Sequence, residues 1–136
     1  MSVRVLVVDD NAVTREMVRG VLSLDRDIVV VGEAGNGLEA VRLAGFLCPD
    51  IVIMDISMPV MDGVEATGQI SRSFPEIRTV AFSMSDSLED VARSRGAGAK
   101  GYILKESMAR ELVPAVRQVL NGGTYYSAGL RPKSSP

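Results

Sequence analysis

The chain has 136 residues, of which 46% are hydrophobic and 24% charged, with a formal net charge of −2. That suits one compact domain with a substantial core and leaves no room for a second of ordinary size. It excludes disordered, collagen-like and disulfide-dense classes, and the near-neutral charge argues against a DNA-binding surface. The single cysteine, Cys48, forbids an internal disulfide. Together with no signal-peptide pattern and no apolar run long enough to span a bilayer, it points to a cytoplasmic setting without membrane contact. The sequence contains no histidine, which removes Ser-His-Asp and Cys-His catalysis, imidazole zinc sites and any phosphohistidine within these residues.

Val3 to Val8 is a nearly continuous β-branched and aliphatic run, the pattern of a strand buried on both faces, and it stops at Asp9-Asp10-Asn11. From Thr14 to Leu24, Met17, Val18, Val21 and Leu22 recur at helical spacing, with Arg15, Glu16 and Arg19 for the opposite face. The unit then recurs in kind. Ile28 to Val31 reads as a strand and Leu38 to Leu47 as a helix closed by Pro49; Ile51 to Met54 is a strand, followed by a loop from Asp55 to Asp62 and a helix from Gly63 to Ser71. Thr79 to Phe82 and Ala99 to Leu104 are strands, each followed by a helix, Leu88 to Arg95 and Met108 to Leu120. Pro114 inside the last helical pattern predicts a kink or a delayed start. Alternation of this kind implies a doubly wound (βα)5 fold, a five-stranded parallel sheet with helices on both faces. Residues 1–126 form the domain, and 127–136, rich in proline and serine, read as a linker or tail.

Ligands of doubly wound sheets bind beyond the carboxyl ends of the strands. The residues there are Asp9 and Asp10 after the first strand, Asp55 after the third, Ser83 after the fourth and Lys105 after the fifth. Carboxylates crowded at one edge repel unless a cation neutralises them, and an all-oxygen set is hard, which favours Mg²⁺, with Mn²⁺ as the nearest substitute. The Lys105 ammonium suits a phosphoryl oxygen, and the Ser83 hydroxyl offers a donor to another. Any one aspartate at a strand end is most often a turn former or a cap; five chemically matched residues at one edge are the signal.

These residues resemble the receiver (CheY-like) domain of bacterial two-component response regulators, from Val3 to about Ser127. The likeness rests on Val5-Leu6-Val7-Val8-Asp9-Asp10-Asn11, on Met54-Asp55-Ile56-Ser57-Met58-Pro59-Val60-Met61-Asp62-Gly63, on Ser83, and on Gly101-Tyr102-Ile103-Leu104-Lys105. The resemblance implies that Asp55 accepts a phosphoryl group from a sensor histidine kinase or phosphotransfer protein. It further implies that Asp10, Asp55 and the Ser57 backbone carbonyl ligate Mg²⁺, with Asp9 acting through a water. Lys105 then assists transfer, and Ser83 and Tyr102 form the switch, Tyr102 turning from exposed to buried. Such a domain assists its own phosphorylation and dephosphorylation without being a conventional enzyme, and phosphorylation can drive a homodimer. Gly122-Gly123-Thr124-Tyr125-Tyr126-Ser127 is similar to the NarL/FixJ subgroup, whose receivers precede a LuxR-type helix-turn-helix domain, so DNA contact belongs to a domain outside these residues.

Met84 after Ser83 stands where the family often has a smaller residue, which narrows access to Asp55, and Ser57 and Ser85 flank the route for water. Three rivals compete. Gly35-Asn36-Gly37-Leu38-Glu39-Ala40 satisfies the dinucleotide pattern, although after the second strand and not the first. An aspartyl-nucleophile phosphohydrolase would need a cap that the short loops do not supply. A pure interaction module would leave Asp9, Asp10, Asp55, Ser83 and Lys105 without a shared purpose.

Overall fold

The structure, a computed structural model, describes residues 2–130. In chain order the elements are β1 (Val3–Val8), α1 (Ala12–Leu22), β2 (Ile28–Ala34), α2 (Gly37–Leu47), β3 (Ile51–Asp55), α3 (Gly63–Ser73), β4 (Arg78–Ser83), α4 (Leu88–Gly96), β5 (Gly101–Leu104), a single 3-10 turn (Lys105–Ser107), α5 (Met108–Leu120) and β6 (Tyr125–Tyr126). Every strand pairing is parallel, in the order β2-β1-β3-β4-β5-β6. The winding reverses between β1 and β3, and that switch point is where a doubly wound sheet opens a crevice.

Strand alternation divides the core. Val5 and Val7 of β1, Ile51 and Ile53 of β3 and Phe82 of β4 pack with Val18, Leu22, Leu112 and Val116 of α1 and α5. Leu6, Val8, Val52 and Met54 point the other way, onto Ala40 and Ala44 of α2 and Ala66 and Ile70 of α3. Because both faces are covered, the strands read as unbroken apolar runs. The helices that follow β1 to β4 start from side-chain caps, Asn11, Asn36, Asp62 and Ser87, each satisfying an amide that the helix leaves unpaired.

The sheet differs from expectation in its sixth strand. Gly122 turns the chain at φ 91°, and Tyr125 and Tyr126 return beside β5. A Cβ on Gly101 would stand 2.6 Å from the Tyr125 carbonyl oxygen, so that glycine is what lets the new strand close up. A two-residue strand has no period for a sequence to display. The chain also stays on the domain past Tyr126, for Ser127 and Leu130 are buried; residues 131–136 of the expected tail lie outside the described residues. α5 runs through Pro114, whose ring is exposed, so the Arg110 carbonyl that loses its partner lies on the hydrated side. Met17, expected on the apolar face of α1, is exposed, whereas Val18 and Leu22 are buried.

The glycine-rich rival is packing. A Cβ on Gly37 would meet the Met61 carbonyl oxygen at 2.4 Å, and the Gly37 N–H donates to that oxygen at 3.1 Å. Asn36 caps α2 through the Glu39 N–H. Gly37 docks α2 against the loop after β3, while Asn36 and the Gly35 N–H engage Glu39 at the start of that helix.

Candidate functional site

β1 and β3 deliver Asp9 and Asp55 side by side at the switch point. The Asp9 N–H continues the ladder to the Ala34 carbonyl at 3.1 Å, its Oδ1 accepts from the Asn11 N–H at 2.9 Å, and Arg15 Nη1 donates to its carbonyl at 2.7 Å. Asp55 ends β3, and its Oδ1 accepts from the Ser57 N–H at 3.1 Å. Both carboxylates are buried, while Asp10 is exposed. Lys105 arrives from the end of β5, its Nζ 2.7 Å from Asp9 Oδ2 and 3.4 Å from Asp55 Oδ2, and 5.4 Å from the centre of the Phe82 ring. Apart from that ion pair, Asp9 Oδ2 has no hydrogen-bond partner among the described residues.

One carboxylate oxygen from each of Asp9, Asp10 and Asp55 lies within 4.8 Å of the others. Three acids thus face one ammonium. Burial, the largest cause, pushes the Asp55 carboxyl up from 3.8 to about 6; the Ser57 N–H and the Lys105 charge pull it back, and Asp9 pushes it further up. Burial would lower Lys105, but the Asp9 and Asp55 carboxylates outweigh it and hold the ammonium above the ordinary lysine value. The donor set is all oxygen, convergent and one charge or more in excess, which is the chemistry a hard divalent cation neutralises.

The acids open on a cavity of about 630 Å³ whose wall includes Asp10, Ser57, Ser83 and Lys105. A larger recess, about 870 Å³ beside α5 and β6, contains none of the strand-end acids. Ser83 ends β4 and its Oγ accepts from the Ser85 N–H at 3.0 Å. Tyr102, expected to change sides, is fully buried here, with its hydroxyl donating to the Ser85 carbonyl at 2.8 Å. Met84 stands at the cavity rim, 86% exposed.

All five strand-end residues, Asp9, Asp10, Asp55, Ser83 and Lys105, line the same cavity, as does Ser57; Tyr102 lies behind it on the far side of the Ser85 turn. Sequence reasoning missed two partners. Arg15 was assigned to the solvent face of α1, yet it links the Asp9 carbonyl to Glu33 of β2, donating to Glu33 Oε1 at 2.9 Å. Ser85 Oγ donates to Asp90 Oδ2 at 2.6 Å, tying the turn after β4 to α4. Each is a pairing between elements that no motif specifies, and helical period alone gives no hint of it.

Comparison with known proteins agrees with this geometry. The profile of the response regulator receiver domain matches residues 5–117. The response regulator VraR of Staphylococcus aureus is 39% identical over 126 residues, covering 93% of this chain and 60% of VraR, so the chain spans about three fifths of that relative. A LuxR-family two-component response regulator from Aurantimonas sp. SI85-9A1 superimposes with a TM-score of 0.91 at 34% identity, covering 96% of this chain and 93% of the other. The receiver domain of NarL from Mycobacterium tuberculosis gives a TM-score of 0.84 at 37% identity, covering 89% of this chain and 98% of the other.

Proposed function

From the premise that the chain belongs to the response regulator receiver domain family, we propose that Asp55 is its phosphoacceptor, taking a phosphoryl group from a phosphohistidine on a sensor histidine kinase or phosphotransfer protein. The absence of histidine from these residues agrees with a donor on another protein. The observation that carries the reading is the Lys105 ammonium standing between the buried carboxylates of Asp9 and Asp55 at the floor of an open cavity.

In the transfer an Asp55 oxygen attacks phosphorus, the bond from phosphorus to the donor imidazole nitrogen breaks with its electron pair leaving on nitrogen, and an acyl phosphate forms. The Ser57 N–H fixes the other Asp55 oxygen, so the attacking atom is the one facing Lys105. Lys105 offsets charge on the phosphoryl oxygens as a point charge. A Mg²⁺ or Mn²⁺ ion held by Asp10, Asp55 and the Ser57 carbonyl, with Asp9 through a water, would supply a further positive charge to the acids and the phosphoryl oxygens. Hydrolysis of the acyl phosphate returns the Asp55 carboxylate, so the same pocket assists its own dephosphorylation, with Ser57, Met84 and Ser85 around the path of water.

The signal is a population shift. Phosphoryl oxygens at Asp55 draw the Ser83 hydroxyl inward, and Ser83 is already bonded to the turn that holds the Tyr102 hydroxyl. A change from 1:99 to 99:1 needs about 5.5 kcal/mol of differential interaction, within reach of a few charge-assisted hydrogen bonds. The output we propose is a phosphorylation-dependent homodimer acting through a LuxR-type DNA-binding domain outside these residues; one regulator that the chain resembles is of the LuxR family. A cytoplasmic setting belongs to the same proposal, in keeping with the receiver family; among the described residues no helix is long and apolar enough to cross a membrane.

The test is to incubate the protein with acetyl phosphate and Mg²⁺ and to locate the added mass. The expected product is a base-labile adduct on Asp55, absent from Asp55→Asn. A stable adduct on serine or threonine overturns the assignment.

A further inference from the structure

The segment after α5 makes contacts that a tail has no need of. β5 has β4 on one side, and its other edge would present unpaired backbone groups. The Tyr125 N–H donates to the Lys100 carbonyl at 3.1 Å and the Ser127 N–H to the Tyr102 carbonyl at 3.0 Å. The next edge group, the Leu104 N–H, donates to a side chain, Ser127 Oγ, at 3.0 Å. That hydroxyl in turn donates to Glu111 Oε1 of α5, and the second Glu111 oxygen accepts from the Tyr125 hydroxyl at 3.2 Å. Ser127 therefore has its hydroxyl occupied as donor and as acceptor, which fixes its rotor. Three residues on, Leu130 is buried in one cluster with Tyr102, Ile56 and Val91.

Leu104 is the residue before Lys105, and the backbone turns into the 3-10 turn directly after it. The direction in which β5 ends decides where the Lys105 ammonium stands, and the Leu104 N–H is the last point at which that end is held from the open edge. A misplacement of about 1 Å at a reacting centre can cost on the order of 100-fold in rate.

We propose that Ser127, fixed by Glu111, is a positioning residue for Lys105: by holding the Leu104 N–H it sets the ammonium between Asp9 and Asp55, and so couples the segment Tyr125–Leu130 to phosphoryl transfer. The proposal rests on Asp55 being the phosphoacceptor. An adduct at Asp55 would then also change the hydrogen-exchange protection of residues 125–130.

The experiment uses the 136-residue chain with acetyl phosphate and Mg²⁺, following adduct formation by intact mass and folding by thermal melting. Ser127→Ala should slow adduct formation about tenfold while lowering the melting temperature by no more than about 5 °C. Ser127→Thr, which keeps the hydroxyl, should recover the rate to within about twofold of the parent. A structural role alone would slow any background equally, so the deciding measurement is a double-mutant cycle: in Lys105→Ala the further loss on Ser127→Ala should vanish. Should Ser127→Ala not fold, Glu111→Ala, on a helix, carries the same cycle. A parental rate in Ser127→Ala, or an equal loss in both backgrounds, overturns the proposal. If the parent protein forms no adduct on Asp55, the phosphoacceptor reading fails and this inference falls with it.

Discussion

The switch point between β1 and β3 and the edge formed by β5 and β6 treat polar groups in opposite ways. At the switch point the carboxylates of Asp9, Asp10 and Asp55 converge, Asp9 and Asp55 share one ammonium, and burial drives the Asp55 carboxyl up to about 6. At the edge, the Ser127 hydroxyl and both Glu111 oxygens have partners. The first region carries excess charge that a ligand would relieve, and the second is complete without one. A surplus marks where chemistry enters, and a closed hydrogen-bond network marks what holds the chemistry in place.

The largest effects should fall on the side with the surplus. Asp55→Asn should abolish the acyl phosphate altogether, since a carboxamide is too weak a nucleophile to attack phosphorus; peptide mapping after acetyl phosphate treatment checks it. Lys105→Met should slow adduct formation on the order of 100-fold by removing the cation that stands between Asp9 and Asp55. Chelating Mg²⁺ with EDTA should slow it by a similar factor, because three mutually repelling acids then meet an anionic donor. Changes at the edge should reduce the rate without abolishing it. An edge substitution as severe as Asp55→Asn would erase the distinction between the two regions.

How much of each region the sequence reveals follows from how its residues are placed. Asp9, Asp10, Asp55, Ser83 and Lys105 sit immediately after apolar strands, and in a doubly wound sheet that position alone brings them to one crevice, so hydrophobic runs and their ends were enough to find the acid pocket and the layered fold. Arg15, Asp90 and Glu111 lie on the polar sides of helices, where charged residues are ordinary, and their partners are 18, 5 and 16 positions away. Ser127 reads as a linker serine because β6 is too short to show alternation. What went unread in each case is a polar contact between elements, which depends on packing already being in place.

The same surplus has a stability cost that pH exposes. The native state holds the Asp55 proton up to about 6, against 3.8 for an ordinary aspartate. Between those values unfolding releases a proton, so stability falls as pH rises through the window and the full penalty applies above about 6. In the Mg²⁺-free protein, Asp55→Asn should therefore raise stability by about 2 kcal/mol at pH 7.5, with the gain shrinking toward zero near pH 4. Urea titrations across that range test both magnitude and sign. Ser127→Ala should act the other way, costing about 1 kcal/mol for the lost hydrogen bonds.

The smallest expected effect separates strain from charge. In the loop that leads from Asp55 to α3, Val60 adopts φ 72°, and the Met61 N–H donates to the Pro59 carbonyl at 2.9 Å across it. An i to i+2 bond around a positive φ is a strained γ-turn, and a β-branched residue is poorly suited to it. The contact that requires the turn is the Met61 carbonyl meeting the Gly37 N–H, which docks α2 beside the site. Val60 is 77% exposed, so its side chain gives little packing in return. Val60→Gly should then stabilise the protein by about 1 kcal/mol, the relief of left-handed strain exceeding the added freedom of the unfolded chain. Because Val60 holds none of the acids, adduct formation on Asp55 should stay within about twofold of the parent rate. A gain in stability with a large loss of rate would mean that the strain at Val60 is part of how the Asp55 loop is held, and that charge is not the whole of what distinguishes the switch point from the edge.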